Sequence, residues 1–499
     1  MSANALPGIT KPKYWRAIIE PGRRGPGGAT DRQQNSHVND FSLEAMWTVL
    51  DASAGGAESR RYCIAFSGGM DSMVLLFAVA RMIDRFQPDA LRAAHVHHGL
   101  HAQADAWEEA CKAQCEALGI PLTVLRVDAR PARGESPEAR AREVRYAALG
   151  DALAPGEVLL TAHHADDQLE TVLIQLLRGA GVAGLAAMPV ETPFGAGWHQ
   201  RPLLGFPRAS LQAWAQSQQL PEWVRDPANE QPRFARNHLR HEVLPAIRAH
   251  WPGAAAAASR AARHCAEAAT LLEEFAALDA AGCVEGEALS VPAMRRLSAA
   301  RCRNLVRWQC RQLGLPVPDE RRLASLLAQV FEAAPDTHPE IRWPGVVATR
   351  HADGLWLMPE AGLAEVPGPL AWPDPSTPLA LGPGLGTLAI EPTTGGGLRR
   401  DALASAPWRV VFRAGGERLQ LPGRSGHQSL KNLLQAAGIP PWIRSRIPLL
   451  EVGGKLAAAG DLWIDESWWT PPETEGWRLR WEGCALPGRG AFVVGGQAF

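Results

Sequence analysis

Residues 61–82 read Arg61-Tyr62-Cys63-Ile64-Ala65-Phe66, then Ser67-Gly68-Gly69-Met70-Asp71-Ser72, then Met73-Val74-Leu75-Leu76-Phe77-Ala78-Val79-Ala80-Arg81-Met82. The first block is short, mostly apolar and β-prone; the third is apolar and long enough for a helix. A Gly-Gly turn between a buried strand and a helix start leaves backbone N–H groups without intrahelical partners. Such an end attracts anions. The Ser67 and Ser72 hydroxyls add hydrogen bonds for phosphate oxygens, and Asp71 offers a hard oxygen ligand for a magnesium ion bridging them. The simpler alternative is a Ser/Gly turn in which Asp71 caps the helix.

The alternation continues outward. Strands are expected at 61–66, 91–97, 121–127 and 157–162, and helices at 72–84, 103–118, 136–153 and 166–178. Short apolar strands alternating with helices imply an α/β fold, a parallel sheet covered on both faces. Ligands of such sheets bind beyond the carboxyl ends of the strands, so Ser67–Ser72 and His163–Asp167, which both follow strands, should share one crevice. Connections carrying Pro189, Pro193, Pro202 and Pro207 lead to a helix near 208–219 and an Arg-rich segment ending at Trp251.

Thr161-Ala162-His163-His164-Ala165-Asp166-Asp167-Gln168-Leu169-Glu170-Thr171 closes a strand and opens a helix. Asp166 and Asp167 precede Glu170 by four and three residues, so the carboxylates can share a face. Three chemistries remain open on residues alone: a His/Asp metal site, a polar wall holding a substrate ammonium, or helix capping. The following Gly179-Ala180-Gly181-Val182-Ala183-Gly184 spells a dinucleotide fingerprint but follows a helix where that motif needs a strand, so it is a decoy.

The 499 residues allow two to four domains, and 46% hydrophobic with 21% charged residues is ordinary for a globular protein. No apolar run is long enough to span a membrane and no secretory signal opens the chain. Eight scattered cysteines without a CxxC pair point to reduced thiols in a cytoplasmic protein. The net charge of −1 hides local basic patches: seven arginines against four acids at 201–248, and eight Lys/Arg against two acids between Trp408 and Lys455, with Trp442 nearby. Such patches suit RNA backbone contact and stacking. The expected organisation is a flexible extension over 1–58 with one helix near Phe41–Leu50, a catalytic domain over 59–251 and a helical middle domain over 252–360. A hairpin should close the middle domain, with strands around 346–350 and 354–358. A Pro/Gly-rich linker or edge strands over 361–407 and a small mixed α+β domain over 408–499 complete it.

The SGGxDS loop resembles the pyrophosphate-binding loop of the PP-loop ATP-pyrophosphatase superfamily, in the adenine nucleotide alpha hydrolase-like fold. With it, His95-Val96-His97-His98-Gly99-Leu100, the run Glu138 through Arg142 to Arg145-Tyr146, the HHADDQLET segment with RGAGVAGL, and Arg201-Pro202-Leu203-Leu204 are similar to tRNA(Ile)-lysidine synthetases. So are Asp226-Pro227-Ala228-Asn229, Arg236-Asn237-His238-Leu239-Arg240, Arg413-Ala414-Gly415-Gly416-Glu417-Arg418, Ser429–Gln435 and Gly438-Ile439-Pro440-Pro441-Trp442. One departure is His97, where many members carry Asn. The resemblance implies ATP and magnesium as cofactors, and as partners the isoleucine tRNA with a CAU anticodon and free lysine; it allows a homodimer. ATP would adenylate the C2 oxygen of the wobble cytidine, and the lysine ε-amine would displace AMP. It implies pyrophosphate binding by Ser67, Gly68, Gly69, Met70, Asp71 and Ser72, with Asp71 as metal ligand. Asp167 and Glu170 are the candidates for the ammonium and its proton, and Arg236 for the base or the leaving AMP. The rivals are a tRNA thiolase or glutamine-fed synthetase, for which the chain lacks a CxxC pair and a glutaminase segment, and a non-catalytic RNA-binding protein.

Overall fold

The computed structural model describes residues 40–52, 60–87, 90–99, 101–131, 137–224, 235–334, 337–363, 365–402 and 406–484. Asp226–Asn229, Leu100 and residues 1–39 and 53–58 of the expected extension lie outside these. The chain divides into two compact units, residues 1–269 and 270–499.

In the first unit, α1 (Leu43–Asp51) precedes β1 (Tyr62–Ala65), α2 (Met70–Ala80), β2 (Leu91–His97), α3 (Ala104–Ala117), β3 (Leu122–Arg126), α4 (Pro137–Asp151), β4 (Val158–Leu160) and α5 (Ala165–Leu177). A short α6 (Val182–Leu185), the hairpin β5 (Glu191–Phe194) and β6 (Gly197–Gln200), and α7 (Arg208–Ser217) follow. The sheet order is β3-β2-β1-β4-β6-β5. β1 pairs in parallel with β2 and β4, and β4 with β6. The sheet is therefore not wholly parallel: β5 runs antiparallel to β6 at the edge, in a segment expected to be connection only. Pro193 sits in that outermost strand, where its missing N–H costs no ladder bond. The Gly179–Gly184 run follows α5, as a decoy should.

The expected extension is too long at its C-terminal end. Met46 and Leu50 of α1 are fully buried against the β1–α2 core, and Phe41 packs edge-on to Phe206 and Trp214. Burial of each such side chain stabilises by about 1.5–3 kcal/mol, so these residues belong to the domain. Ser42 caps α1, its Oγ accepting from Ala45 N–H at 3.2 Å.

The first unit continues through α8 (Ala235–His238), a π turn at Leu239–Val243 and α9 (Leu244–His250) into α10 (Ala254–Cys283), which ends in the second unit. There the region expected to be helical also carries a five-stranded sheet, of which Val346–His351 and Gly354–Pro359 form the expected hairpin. Of the two readings of 361–407, linker or edge strands, the strands hold: Leu370–Trp372, Leu379–Gly382 and Leu398–Arg399 each lie at the edge of a sheet. Gly386–Thr394, however, is an inner strand pairing along its length with Glu475–Glu482, which the Pro/Gly-rich composition concealed. Among the described residues no helix is long and apolar enough to cross a membrane.

Candidate active site

β1 and β4 are neighbours, so the segments leaving their carboxyl ends meet. Gly68 has φ +79°, and a Cβ there would lie 3.0 Å from both Cys111 Sγ and Val224 Cγ2. Only glycine meets both demands. The Gly68 carbonyl accepts Val224 N–H at 3.0 Å, and the His95 ring Nδ1 lies 2.9 Å from the Phe66 carbonyl, tying down the strand exit. Burial lowers the His95 pKa, so the neutral ring donates this bond. Gly69 starts α2 without a side-chain cap, leaving the first-turn N–H groups available to an anion. Ser72 Oγ donates to Gly69 O at 2.8 Å and receives the Ser67 hydroxyl at 3.0 Å, so the two serines are held side by side.

Asp71 Oδ1 is buried with no hydrogen-bond partner. Its charged neighbours are Arg208 Nε at 3.4 Å and His164 Nε2 at 3.7 Å. Burial pushes the Asp71 pKa up, but His164, Arg208 and Arg240 outweigh it and hold the carboxyl below its ordinary value. A buried, ionised carboxylate oxygen without a donor fits a hard cation ligand. His164, 2% exposed, bridges this loop to the acid helix: its Nε2 is also 3.4 Å from Asp167 Oδ2. Burial alone would lower the His164 pKa, but Asp167, Asp71 and Asp166 raise it.

The acids of α5 divide. Asp166 is structural: Oδ2 accepts the Arg208 N–H that opens α7 at 2.7 Å, and Oδ1 pairs with Arg248 at 2.5 Å. Asp167 Oδ2 accepts its own helix's His164 N–H at 3.1 Å, while Oδ1 meets Arg240 Nη2 at 3.1 Å. Glu170 departs from the expected open carboxylate. Its side chain is 1% exposed and accepts from Arg236 Nε at 2.9 Å, Arg240 Nε at 2.8 Å and Arg240 Nη2 at 3.0 Å. Arg236 also donates to Thr171 Oγ1 at 3.1 Å. The structure thus brings Asp71, Asp167, Glu170 and Arg236 together, with Glu170 saturated by arginine.

Arg208, Arg240 and Arg248 were not singled out from the sequence. Arg236 and Arg240 stand four apart, a readable helical spacing. The π turn takes an extra residue, which shifts Arg248 toward the phase of Arg240 and hides that relation from an α-helical count.

A second network was also missed. Arg201 Nη2 lies 3.0 Å from His199 Nδ1, His199 Nε2 lies 2.7 Å from Thr161 Oγ1, and Thr161 Oγ1 lies 2.7 Å from His163 Nδ1. Guanidinium can only donate, so His199 Nδ1 accepts and its hydrogen sits on Nε2, given to Thr161. The Thr161 hydroxyl then donates to His163 Nδ1, which fixes the His163 hydrogen on Nε2. Burial, then Arg201 and Arg142, push His199 down to about 3. Burial with Arg201, Arg142, His199 and Arg236 holds His163 well below its ordinary value. His163 is therefore a neutral donor, and not a metal ligand through Nδ1.

His97 sits with Asp105 and Glu108, but Arg126 and Lys112 already pair with Glu108 at 2.7 and 2.8 Å, so this cluster is an ion-pair network. The basic patches also change meaning. In the first, Arg208, Arg236, Arg240 and Arg248 hold the acids just described. In the last domain Arg413 pairs with Glu417, Arg409 with Glu451, and Arg444 and Arg446 donate to backbone carbonyls. Trp442 packs 5.4 Å from Trp356 and 5.7 Å from His351, and so is not a free stacking surface. Lys431 and Lys455 remain exposed.

Residues 41–247 match the PP-loop domain family, residues 289–356 the TilS substrate binding domain and residues 408–481 the TilS substrate C-terminal domain. A tRNA(Ile)-lysidine synthase of Pseudomonas aeruginosa is 44% identical over 444 residues, spanning 87% of this chain and 96% of that protein. Its counterpart in Methylococcus capsulatus is 40% identical over 432 residues, spanning 86% and 98%. That of Alkalilimnicola ehrlichii is 43% identical over 401 residues, spanning 80% and 89%.

Proposed function

The chain belongs to the tRNA(Ile)-lysidine synthase family, and from that premise we propose how its residues carry out ATP-dependent lysidine formation at the tRNA wobble position. The observation that carries the assignment of roles is the meeting of Asp71 and Asp167 at His164 Nε2, at 3.7 and 3.4 Å. One carboxylate belongs to the anion loop, the other to the acid helix.

In this proposal the C2 oxygen of the wobble cytidine in the CAU anticodon attacks the α-phosphorus of ATP, and the bond to pyrophosphate breaks. The uncapped N–H groups of Met70, Asp71 and Ser72, with the Ser67 and Ser72 hydroxyls, receive the charge that gathers on the leaving oxygens. Magnesium would be held by Asp71 and would supply positive charge beside the pyrophosphate. The ε-amine of free lysine then forms the C–N bond at C2, the C–O bond to AMP breaks, and the amine loses its proton. Asp167, the less occupied acid, exchanges Arg240 for the lysine ammonium and takes that proton. Glu170 keeps Arg236 aimed at the reacting base and the AMP phosphate, and holds Arg240 beside Asp167. His163, neutral and with its hydrogen on Nε2, donates to the bound substrate. Eight free thiols, six of them buried, agree with a cytoplasmic setting.

The test incubates the protein with magnesium ATP, labelled lysine and the CAU-anticodon transcript. Label should enter RNA with one pyrophosphate released per lysidine formed. Label-free RNA, with incorporation of sulfur or ammonia from a donor supplied in place of lysine, would overturn the proposal.

A further inference from the structure

We propose that Trp251 is a stacking platform for an unpaired base of the RNA substrate other than the cytidine that reacts. The inference rests on the RNA substrate of the proposed function and assigns a second contact to it. Trp251 stands at the elbow between α9 and α10 and is 65% exposed, although large aromatic side chains usually bury their surface. It borders a cleft of about 590 Å³ whose floor is made of small or apolar groups, among them Ile247, Gly253, Ala254 and Ala257. The neighbouring His250 ring lies 5.8 Å away at 43°.

Three observations favour a nucleobase as the occupant. First, the cleft adjoins the helix that carries an active-site arginine. Ile247 both lines it and packs against the α5 cluster, and the next residue, Arg248, is bound to Asp166. From Arg240 to Trp251 the helix rises roughly 16 Å, so an RNA loop with one nucleotide in the crevice can reach Trp251 with another. Second, the surroundings suit a phosphate backbone: no carboxylate lines the cleft, and the exposed Arg260 follows Ala257 by one helical turn. Third, an aromatic face beside small residues leaves a flat slot, as base stacking needs, whereas a protein partner would favour protruding apolar side chains. Sequence-specific RNA recognition works through unstacked loop bases of this kind.

The test measures equilibrium affinity of the full chain for the CAU-anticodon transcript at fixed salt. Trp251→Ala should bind about ten- to a hundredfold more weakly, and Trp251→Phe should keep most of the affinity. Affinity for ATP should not change in either variant. The decisive arm repeats the measurement with transcripts made abasic at each anticodon-loop position in turn. At one position other than the wobble cytidine, wild type and Trp251→Ala should bind alike, because the partner base is already gone. Equal loss at every position, or no loss on the intact transcript, would overturn the assignment while leaving lysidine formation untouched. Failure of the wild type to bind the transcript would overturn both. A changed oligomeric state in Trp251→Ala with unchanged RNA affinity would give the cleft to a second copy of the chain.

Discussion

Replacing Glu170 by Gln separates two roles that the sequence could not distinguish. The carboxylate accepts three guanidinium hydrogen bonds at 2.8–3.0 Å and is 1% exposed. An amide of the same shape keeps one acceptor oxygen but turns an NH2 group toward a guanidinium donor, leaving one buried contact with two donors and no acceptor. Breaking a buried charge pair costs about 3–5 kcal/mol. Here the guanidiniums are themselves 22% and 37% exposed and can regain water, so the loss should fall near 2–3 kcal/mol. With a urea slope of about 2 kcal/mol per molar, the unfolding midpoint of the first unit should drop by roughly 1–1.5 M. Because both arginines lose their anchor, pyrophosphate release and lysine transfer should fall together, by about a hundredfold. If Glu170 instead took the lysine proton, the midpoint and pyrophosphate release would stay near wild type and only lysine transfer would vanish. That outcome would refute the positioning role.

Asp71→Ala should abolish pyrophosphate release while tRNA binding, measured by filter retention, persists; full activity would remove Asp71 from the site. Gly68→Ala combines an unfavourable positive φ with contacts at 3.0 Å to Cys111 and Val224. It should raise the KM for ATP and destabilise by about 1–3 kcal/mol, seen as a lower melting temperature. The His199 pKa is depressed to about 3 from an ordinary 6.5, so the unfolded chain binds the extra proton between those values. Stability should therefore be full above pH 6.5 and fall as pH drops, by about 2 kcal/mol between pH 6.5 and pH 5. His199→Gln should flatten that part of the denaturation profile; an unchanged slope would show that His199 is not its source.

The parallel strands and the loop at Ser67–Ser72 were legible because each rests on local pattern: an apolar run, a Gly-Gly turn and a second apolar run. The crevice followed from topology, since segments leaving adjacent parallel strands at their carboxyl ends must meet. What escaped was decided by tertiary pairing. Pro193 looked like a loop residue because a sequence does not say which strand will lie at an edge. Gly386–Thr394 looked like linker or an edge strand because its apolar alternation is diluted by proline and glycine, and only Glu475–Glu482, far along the chain, makes it an inner strand.

The same division runs through the active site. Asp71 could be chosen from its place in the loop, and Asp167, Glu170 and Arg236 through the family resemblance, but the number of arginines that each acid meets could not. Asp166 and Asp167 are adjacent and chemically identical, yet one closes the start of α7 and holds Arg248 while the other faces His164 and Arg240. That difference comes from α7 and α9, which approach α5 from outside the motif. A carboxylate bound by two fixed arginines has its lone pairs spent and can only orient them, whereas one sharing a single, partly exposed arginine can trade it for a substrate cation. The local motif therefore supplied the acids, and the later helices decided which of them is free to do proton chemistry. A variant that moves the arginines, such as Arg240→Ala, should consequently change lysine KM more than ATP KM. An equal effect on both would show that Arg240 serves the nucleotide, and that the exchange at Asp167 does not occur.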